Sequence, residues 1–102
     1  MKKIIILSGG FDPLHIGHLK MFKAAKDKDA IVIVGANSDS WLTRKKGKPF
    51  MNQPERVEIL QAIKHIDYVY TFNDDDGSAC DLIKQVIDKY KNDNVKIFFG
   101  NG

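Results

Sequence analysis

The chain has 102 residues, which is enough for one small domain with a single core. A hydrophobic fraction of 43% and a charged fraction of 28% are typical of a globular protein and argue against disorder. The net charge of +3 suits anionic ligands but is too small to indicate nucleic-acid binding. No apolar run approaches the roughly 20 residues of a membrane span.

The single cysteine, Cys80, cannot form an internal disulfide, and we interpret it as a small, partly buried apolar residue. A lone cysteine is typical of a reducing compartment. We therefore expect a cytoplasmic protein without membrane or nucleic-acid partners.

Apolar, β-branched runs alternate with segments of helical periodicity along the chain. The predicted strands cover residues 3–7, 31–34, 68–72 and 95–99. The predicted helices cover residues 17–28, 54–64 and 78–90, the last with Leu82, Ile83, Val86, Ile87 and Tyr90 facing inward. This order predicts an α/β fold, a Rossmann-like doubly wound parallel sheet in a single three-layer domain.

Ligands of such sheets bind beyond the carboxyl ends of the strands, where the winding direction reverses. Three segments are expected to meet at this edge, residues 11–18, 36–39 and 100–102. The acidic run at residues 74–76 predicts a solvated turn, with a metal site as a minority alternative.

The most informative segment is residues 9–18, with the sequence GGFDPLHIGH, which we call the signature turn. Its two leading glycines allow close approach of the backbone to a ligand and permit unusual dihedral angles. His15 and His18 are expected at the mouth of a helix, pointing the same way, where free amides and the helix dipole favour anions. Gly17 between them leaves room for a phosphate.

Two imidazoles that donate to phosphate oxygens suit phosphoryl or nucleotidyl transfer, which needs positioning and donors for developing charge. Histidine pairs of this spacing are also found as surface residues, core residues or metal ligands. A zinc site would need further ligands, and the chain offers only His65 and one cysteine. A dinucleotide-binding glycine pattern and a P-loop are both absent from the sequence.

A basic cluster at residues 44–48 predicts a flexible cationic loop that closes over a triphosphate, or alternatively a merely solvated loop. Arg56, on the first turn of the next predicted helix, is expected to grip phosphate through its planar guanidinium. Lys64 lies eight residues further on, on roughly the same side of that helix.

These residues resemble the cytidylyltransferase-like nucleotidyltransferase family, whose signature is a glycine-rich turn followed by H-x-G-H. Further segments resemble its bacterial branch, which includes glycerol-3-phosphate cytidylyltransferase and the heptose-phosphate adenylyltransferase. They are residues 37–39, 46–47, 54–56 and 66–67.

The resemblance implies that His15 and His18 bind the phosphates and stabilise the transition state, and that Lys46 supports the α-phosphate or the acceptor phosphate. It also implies a nucleotide-binding set formed by Gly9, Gly10, Phe11, Gly17, Asp39, Arg56 and Asn101.

The implied reaction transfers CMP or AMP from a nucleoside triphosphate to a small phosphorylated alcohol or sugar and releases pyrophosphate. The family works with Mg²⁺ held mainly by the nucleotide phosphates, so no metal ligand is expected from the chain, and it often forms homodimers. The implied domain covers residues 1–102.

The chain departs from the family at three positions, with Gly10 for threonine, Lys64 for arginine and Asn101 for an acidic residue. The family's segment of serines or threonines followed by Ile-Arg does not occur in the sequence. A non-catalytic nucleotide-binding module therefore remains as the alternative. Class I aminoacyl-tRNA synthetases share the four letters HIGH but carry a lysine-rich second signature that is not found here.

Overall fold

The computed structural model describes residues 2–101, and of Asn101 only the backbone. The elements follow in the order β1 (Lys2–Gly9), α1 (Ile16–Lys26), β2 (Ile31–Ala36), α2 (Asp39–Lys46), α3 (Gln53–Gln61), β3 (Tyr68–Thr71), α4 (Cys80–Tyr90) and β4 (Val95–Asn101).

All four strands are parallel and lie in the order β3-β2-β1-β4. The chain winds from β1 outward to β3 and then crosses to the other side of β1, so the winding reverses between β1 and β4. Ile5 marks the register of the central strand, since it pairs with Val32 of β2 and with Phe98 of β4. The predicted doubly wound parallel sheet is confirmed.

Alternate residues of the strands supply two separate cores, one on each face of the sheet. Phe22 of α1 and Leu60 of α3 pack on one face, while Leu82 and Val86 of α4 pack on the other. All four are fully buried. A Cβ at Gly35 would lie 2.3 Å from a methyl carbon of Leu82, so this glycine lets α4 rest directly on β2. The three layers predicted from the sequence are therefore present.

Helix α2 includes residues 44–46 of the segment 44–48 that the sequence predicted as a flexible basic loop, so that prediction was wrong for these three residues. The side chain of Ser38 caps the helix by accepting a hydrogen bond from the N–H of Trp41, 3.1 Å away. The three basic residues of its last turn lie at the end of the helix that favours cations. The apolar pattern was too sparse to reveal this helix, because Leu42 is its one buried residue.

Four smaller predictions also need correction. Helix α3 ends at Gln61, so Lys64 lies beyond it rather than on its surface. Ile87 is 49% exposed, because it stands one residue and about 100° around α4 from the buried Val86. Cys80 is exposed at the first position of α4. Asp74 is buried rather than solvated.

Within residues 2–101, no helix combines the length and the apolar character required to cross a membrane.

Candidate active site

A cleft of about 670 Å³ opens at the carboxyl edge of the sheet. It is bounded by the signature turn, by α2 and the loop before it, and by residues 77–79 between β3 and α4. Two of the three segments predicted for this edge therefore meet there. Of the third, the side chain of Asn101 and all of Gly102 lie outside the described residues. The segment before α4 was not predicted to take part.

One side of the cleft, which we call the histidine wall, consists of His15 and His18. His15 is the N-cap residue of α1, and the two rings stack with their centroids 3.9 Å apart and an interplanar angle of 29°. The placement of both rings at the helix mouth, on one side, is as predicted. Both rings line the cleft instead of turning into the core.

Backbone hydrogen bonds fix the tautomer of both rings. The N–H of Gly17 donates to Nδ1 of His15 at 3.0 Å, and the N–H of His15 donates to Nδ1 of His18 at 3.2 Å. An Nδ1 that accepts a hydrogen bond carries no proton, so in a neutral ring the proton sits on Nε2. Each imidazole is therefore a donor through Nε2. Burial and then the neighbouring His15 lower the pKa of His18, which favours this neutral form.

Phe11 supports the histidine wall from behind. Its buried ring meets that of His18 edge to face, with the centroids 5.1 Å apart. The left-handed backbone conformation in the signature turn is taken by Phe11, with φ of 51°, so the conformational freedom of Gly9 and Gly10 is not used for a positive φ. Gly9 serves a different purpose, because a Cβ there would approach the Phe11 ring to 3.1 Å.

Two other glycines of the signature turn are required by close packing. A Cβ at Gly17 would lie 2.8 Å from Cε1 of His15, so a side chain there would displace the ring itself rather than a bound phosphate. A Cβ at Gly10 would lie 2.6 Å from Cδ2 of Leu42, and this contact explains how α2 comes so close to the turn.

Arg56 is not in the cleft, which corrects the expectation that it contacts phosphate. Its side chain is fully buried, with N–H groups donating to the carbonyl oxygens of Gly10, Asn37 and Met51 at 2.7–3.0 Å. The remaining terminal nitrogen pairs with Asp39 at 2.7 Å. Arg56 therefore ties three loops together beneath the cleft, and Asp39 acts on the site through this ion pair.

Asp74 provides a second buried anchor below α2. Its carboxylate accepts hydrogen bonds from the side-chain amide of Asn37 and from both the N–H and the hydroxyl of Ser38, at 2.6–3.0 Å. Its carbonyl oxygen accepts one from Arg44. Burial alone would raise the pKa of Asp74, but these donors outweigh it and lower the pKa below its ordinary value.

Lys46 lies at the cleft but is engaged with Asp12. Its ammonium group is 3.0 Å from Oδ2 of Asp12 and also donates to the carbonyl oxygen of the same residue. The fully buried carboxylate of Asp12 accepts two further bonds, from the N–H groups of Phe50 and Met51. Burial acts to raise the pKa of Asp12, but Phe50, Lys46 and Met51 together lower it.

Another part of the cleft's lining, which we call the α2 wall, consists of Trp41, Lys45 and Lys46 of helix α2. Lys45 places its ammonium 4.8 Å from the centre of the Trp41 ring. Sequence reasoning did not select Trp41, nor the anchoring carboxylate of Asp12. An isolated tryptophan within a polar stretch was the available signal for the first, and the position of Asp12 inside the signature turn was the signal for the second.

The family model described as cytidylyltransferase-like matches residues 6–100, nearly the whole chain. The chain therefore belongs to the cytidylyltransferase-like family, as the signature turn predicted.

Among curated relatives, the chain is 42% identical over 76 residues to the bifunctional protein HldE of Geobacter metallireducens, a match that covers 72% of the chain and 16% of the relative. It is 39% identical over 87 residues to the HldE of Sulfurimonas denitrificans, covering 83% of the chain and 18% of the relative. The chain thus spans about one sixth of the length of these proteins, and the relatives support the bacterial nucleotidyltransferase branch.

A solved structure, that of the lipopolysaccharide core biosynthesis protein from Thermoplasma volcanium, superposes with a TM-score of 0.69. The match covers 94% of this chain and 93% of that one at 20% sequence identity, and it establishes the shared fold.

Proposed function

We propose that this protein is a nucleotidyltransferase that transfers CMP or AMP from a nucleoside triphosphate to a small phosphorylated alcohol or sugar. The observation that carries this proposal is the stacked histidine pair, because both residues line a cleft at the carboxyl edge of a doubly wound sheet and each keeps Nε2 as its donor. Family membership supports nucleotidyl transfer as the reaction class.

In the proposed reaction, a phosphate oxygen of the acceptor attacks the α-phosphorus of the triphosphate. The bond from the α-phosphorus to the oxygen that bridges it to the β-phosphorus breaks, and pyrophosphate leaves with the electron pair. His15 and His18 donate hydrogen bonds from Nε2 to oxygens that gain charge. The N–H of Gly17 at the start of α1 donates to the His15 ring and is not available to the ligand. The ligand therefore meets the imidazole rings, and not the free amides, at the positive end of α1.

Lys46 is the third proposed participant. An ammonium group has three donors, and Asp12 accepts two of them, through its carboxylate and its carbonyl oxygen. One donor remains for the α-phosphate or the acceptor phosphate. Asp12 therefore holds the cation at the cleft without using up its hydrogen-bonding capacity.

The chemistry of the cleft suits a magnesium ion that arrives with the triphosphate. Asp12 is the one carboxylate among the described residues that line it, and that group is occupied by Lys46 and two N–H groups. Nucleotide phosphates would therefore supply the ion's main ligands, and the ion would neutralise part of their charge when bound.

We also propose a cytoplasmic location and a homodimer. Light scattering of the purified chain tests the proposed homodimer.

The test is a pyrophosphate-release screen that crosses CTP, ATP and GTP with phosphorylated polyols and sugars. The active pair is then measured with His15→Ala, His18→Ala and, as the matched control, His65→Ala. His65 precedes β3 at the opposite edge of the sheet, so its removal should leave kcat unchanged. Loss of either cleft histidine should lower kcat by about a hundredfold or more.

Turnover close to that of the wild-type protein in both cleft variants would refute the role of the histidines. Calorimetric binding of a triphosphate without pyrophosphate release from any acceptor would instead identify a nucleotide-binding module.

A further inference from the structure

The α2 wall combines an aromatic face with two amines. Trp41 and Lys45 are four residues apart on α2, so they stand above one another on one side of the helix. The indole ring is partly buried and lines the cleft, and the exposed Lys45 holds its ammonium 4.8 Å from the ring centre. Neither Trp41 nor Lys45 has a role in the proposed transfer reaction.

Gly10 fixes the position of this wall relative to the signature turn. The turn backbone at Gly10 meets Leu42 of α2, and a Cβ at that residue would lie 3.8 Å from Cζ3 of Trp41. The edge of the indole therefore lies beside the turn that leads to the histidines, with the space of a missing side chain between them. A ligand lying against the indole would adjoin phosphates held by the histidine wall.

The topology assigns the two sides of the cleft to different substrates. A nucleotide in a doubly wound sheet occupies the crevice where the winding reverses, which here lies between β1 and β4. Helix α2 follows β2, which lies on the other side of β1. The α2 wall therefore borders the space that remains for the acceptor once the triphosphate is bound.

We propose that Trp41 and Lys45 form the acceptor subsite, with the indole face against a sugar ring and the Lys45 ammonium on the acceptor's phosphate. This inference rests on the proposed function. A flat aromatic face buries the C–H surface of a ring more completely than it buries a short acyclic chain. An ammonium point charge on a flexible stem suits phosphate. The wall thus selects phosphorylated sugars over glycerol phosphate.

Kinetics of variants test the subsite. Trp41→Leu should raise the KM for a hexose 1-phosphate by about tenfold or more, with Trp41→Phe affected less, because it keeps an aromatic face. Lys45→Gln should act in the same direction. The KM for the nucleoside triphosphate should stay within about twofold in all three. Lys91→Gln and Phe98→Leu, which change an exposed cation and an exposed aromatic residue outside the cleft, are the matched controls.

Fluorescence provides a second readout that needs no turnover, because Trp41 is the only tryptophan of the chain. Hexose 1-phosphate should change its emission in a saturable way, whereas inorganic phosphate and glycerol 3-phosphate should have little effect. Lys45→Gln should weaken the response to the sugar phosphate.

The outcomes separate this inference from the proposed function. A raised KM for the triphosphate instead of the acceptor, or an emission change produced entirely by the nucleotide, would assign Trp41 to the base and overturn the subsite. Turnover with an unchanged acceptor KM in Trp41→Leu would overturn the subsite alone. A response to the sugar phosphate without any pyrophosphate release would leave the subsite standing and reject the reaction. No response and no turnover would reject both.

Discussion

The histidine wall and the α2 wall are held in place by different kinds of contact. Both histidine rings are fixed by hydrogen bonds to N–H groups within three residues. The α2 wall depends on partners distant in sequence, since Arg44 reaches the Asp74 carbonyl across 30 residues and Lys46 reaches Asp12 across 34. Arg56 bonds to Gly10 across 46 residues. Substitution of the anchoring residues Asp12, Arg56 or Asp74 should therefore disturb the α2 wall and lower overall stability more than it disturbs the histidine pair.

The largest loss of stability is expected from Arg56→Met. The substitution leaves the carbonyl oxygens of Gly10, Asn37 and Met51 without their shared donor and Asp39 without its partner. Asp39 is 44% exposed and can be rehydrated, but each buried carbonyl oxygen left without a donor costs about 1–3 kcal/mol. Urea denaturation should therefore show a loss of several kcal/mol in the free energy of unfolding, a large part of the stability of a small domain.

Lys64→Met is the matched control for this charge removal, because Lys64 is exposed and lies beyond α3. Its effect should stay within about 0.5 kcal/mol. Equal stability of the two variants would show that Arg56 is not an anchor.

Asp12→Asn tests the connection between the signature turn and α2. The amide weakens the pairing with Lys46 and turns an N–H group toward the N–H of Phe50 or Met51. A loss of about 1–3 kcal/mol is expected for a buried group left unsatisfied. Limited proteolysis should also become faster in residues 47–52.

The control for Asp12 is Asp27→Asn, which breaks an exposed pair with Lys23 on α1. Pairs of this kind contribute about 0.3–0.5 kcal/mol. If the two substitutions proved equally mild, the buried carboxylate would not be holding α2 in place.

A smaller effect separates the two roles of His15, which caps α1 and faces the cleft. His15→Ala removes both and should lower the free energy of unfolding by about 1 kcal/mol. His15→Asn restores an acceptor for the helix amides and should regain most of that stability. Neither variant should regain kcat in the pyrophosphate assay. Recovery of kcat by the asparagine would mean that capping alone accounts for this residue.

The smallest effect is a dependence of stability on pH. The pKa of His18 is lowered on folding, so the unfolded chain binds a proton more readily, and stability should begin to fall as the pH drops below about 6.5. The pKa of Asp74 is also lowered, so its contribution is present above about pH 4 and is lost as the pH falls further. Urea midpoints between pH 8 and pH 3 would show two declines, and His18→Gln should lack the first. A midpoint that rises on acidification to pH 5 would contradict this account.

The fold and the histidine wall were predictable because their signals are local. Apolar runs alternating with helical periodicity determine the element order, and that order determines a doubly wound sheet. His15 and His18 take their positions from a cap and from a spacing of three residues, both readable in the sequence.

The α2 wall and its anchors were not predictable, because their contacts join segments that are distant along the chain. Residues 44–46 look like part of a solvated loop until Ser38 is seen to cap them and Asp74 to hold Ser38. Arg56 and Lys64 look alike as cations, and only tertiary packing shows that the first is buried and the second exposed.

Arginine and lysine side chains have different roles around the cleft. Both arginines of the chain, Arg44 and Arg56, donate to acceptors in the loops beneath the cleft, whereas Lys45 and Lys46 are the lysines among the described residues that line it. Acetylation neutralises lysine and does not touch a guanidinium. An acylating reagent, or a cellular acetyltransferase, would therefore weaken the cleft's attraction for phosphates and break the pair between Lys46 and Asp12, while the contacts of Arg44 and Arg56 would remain.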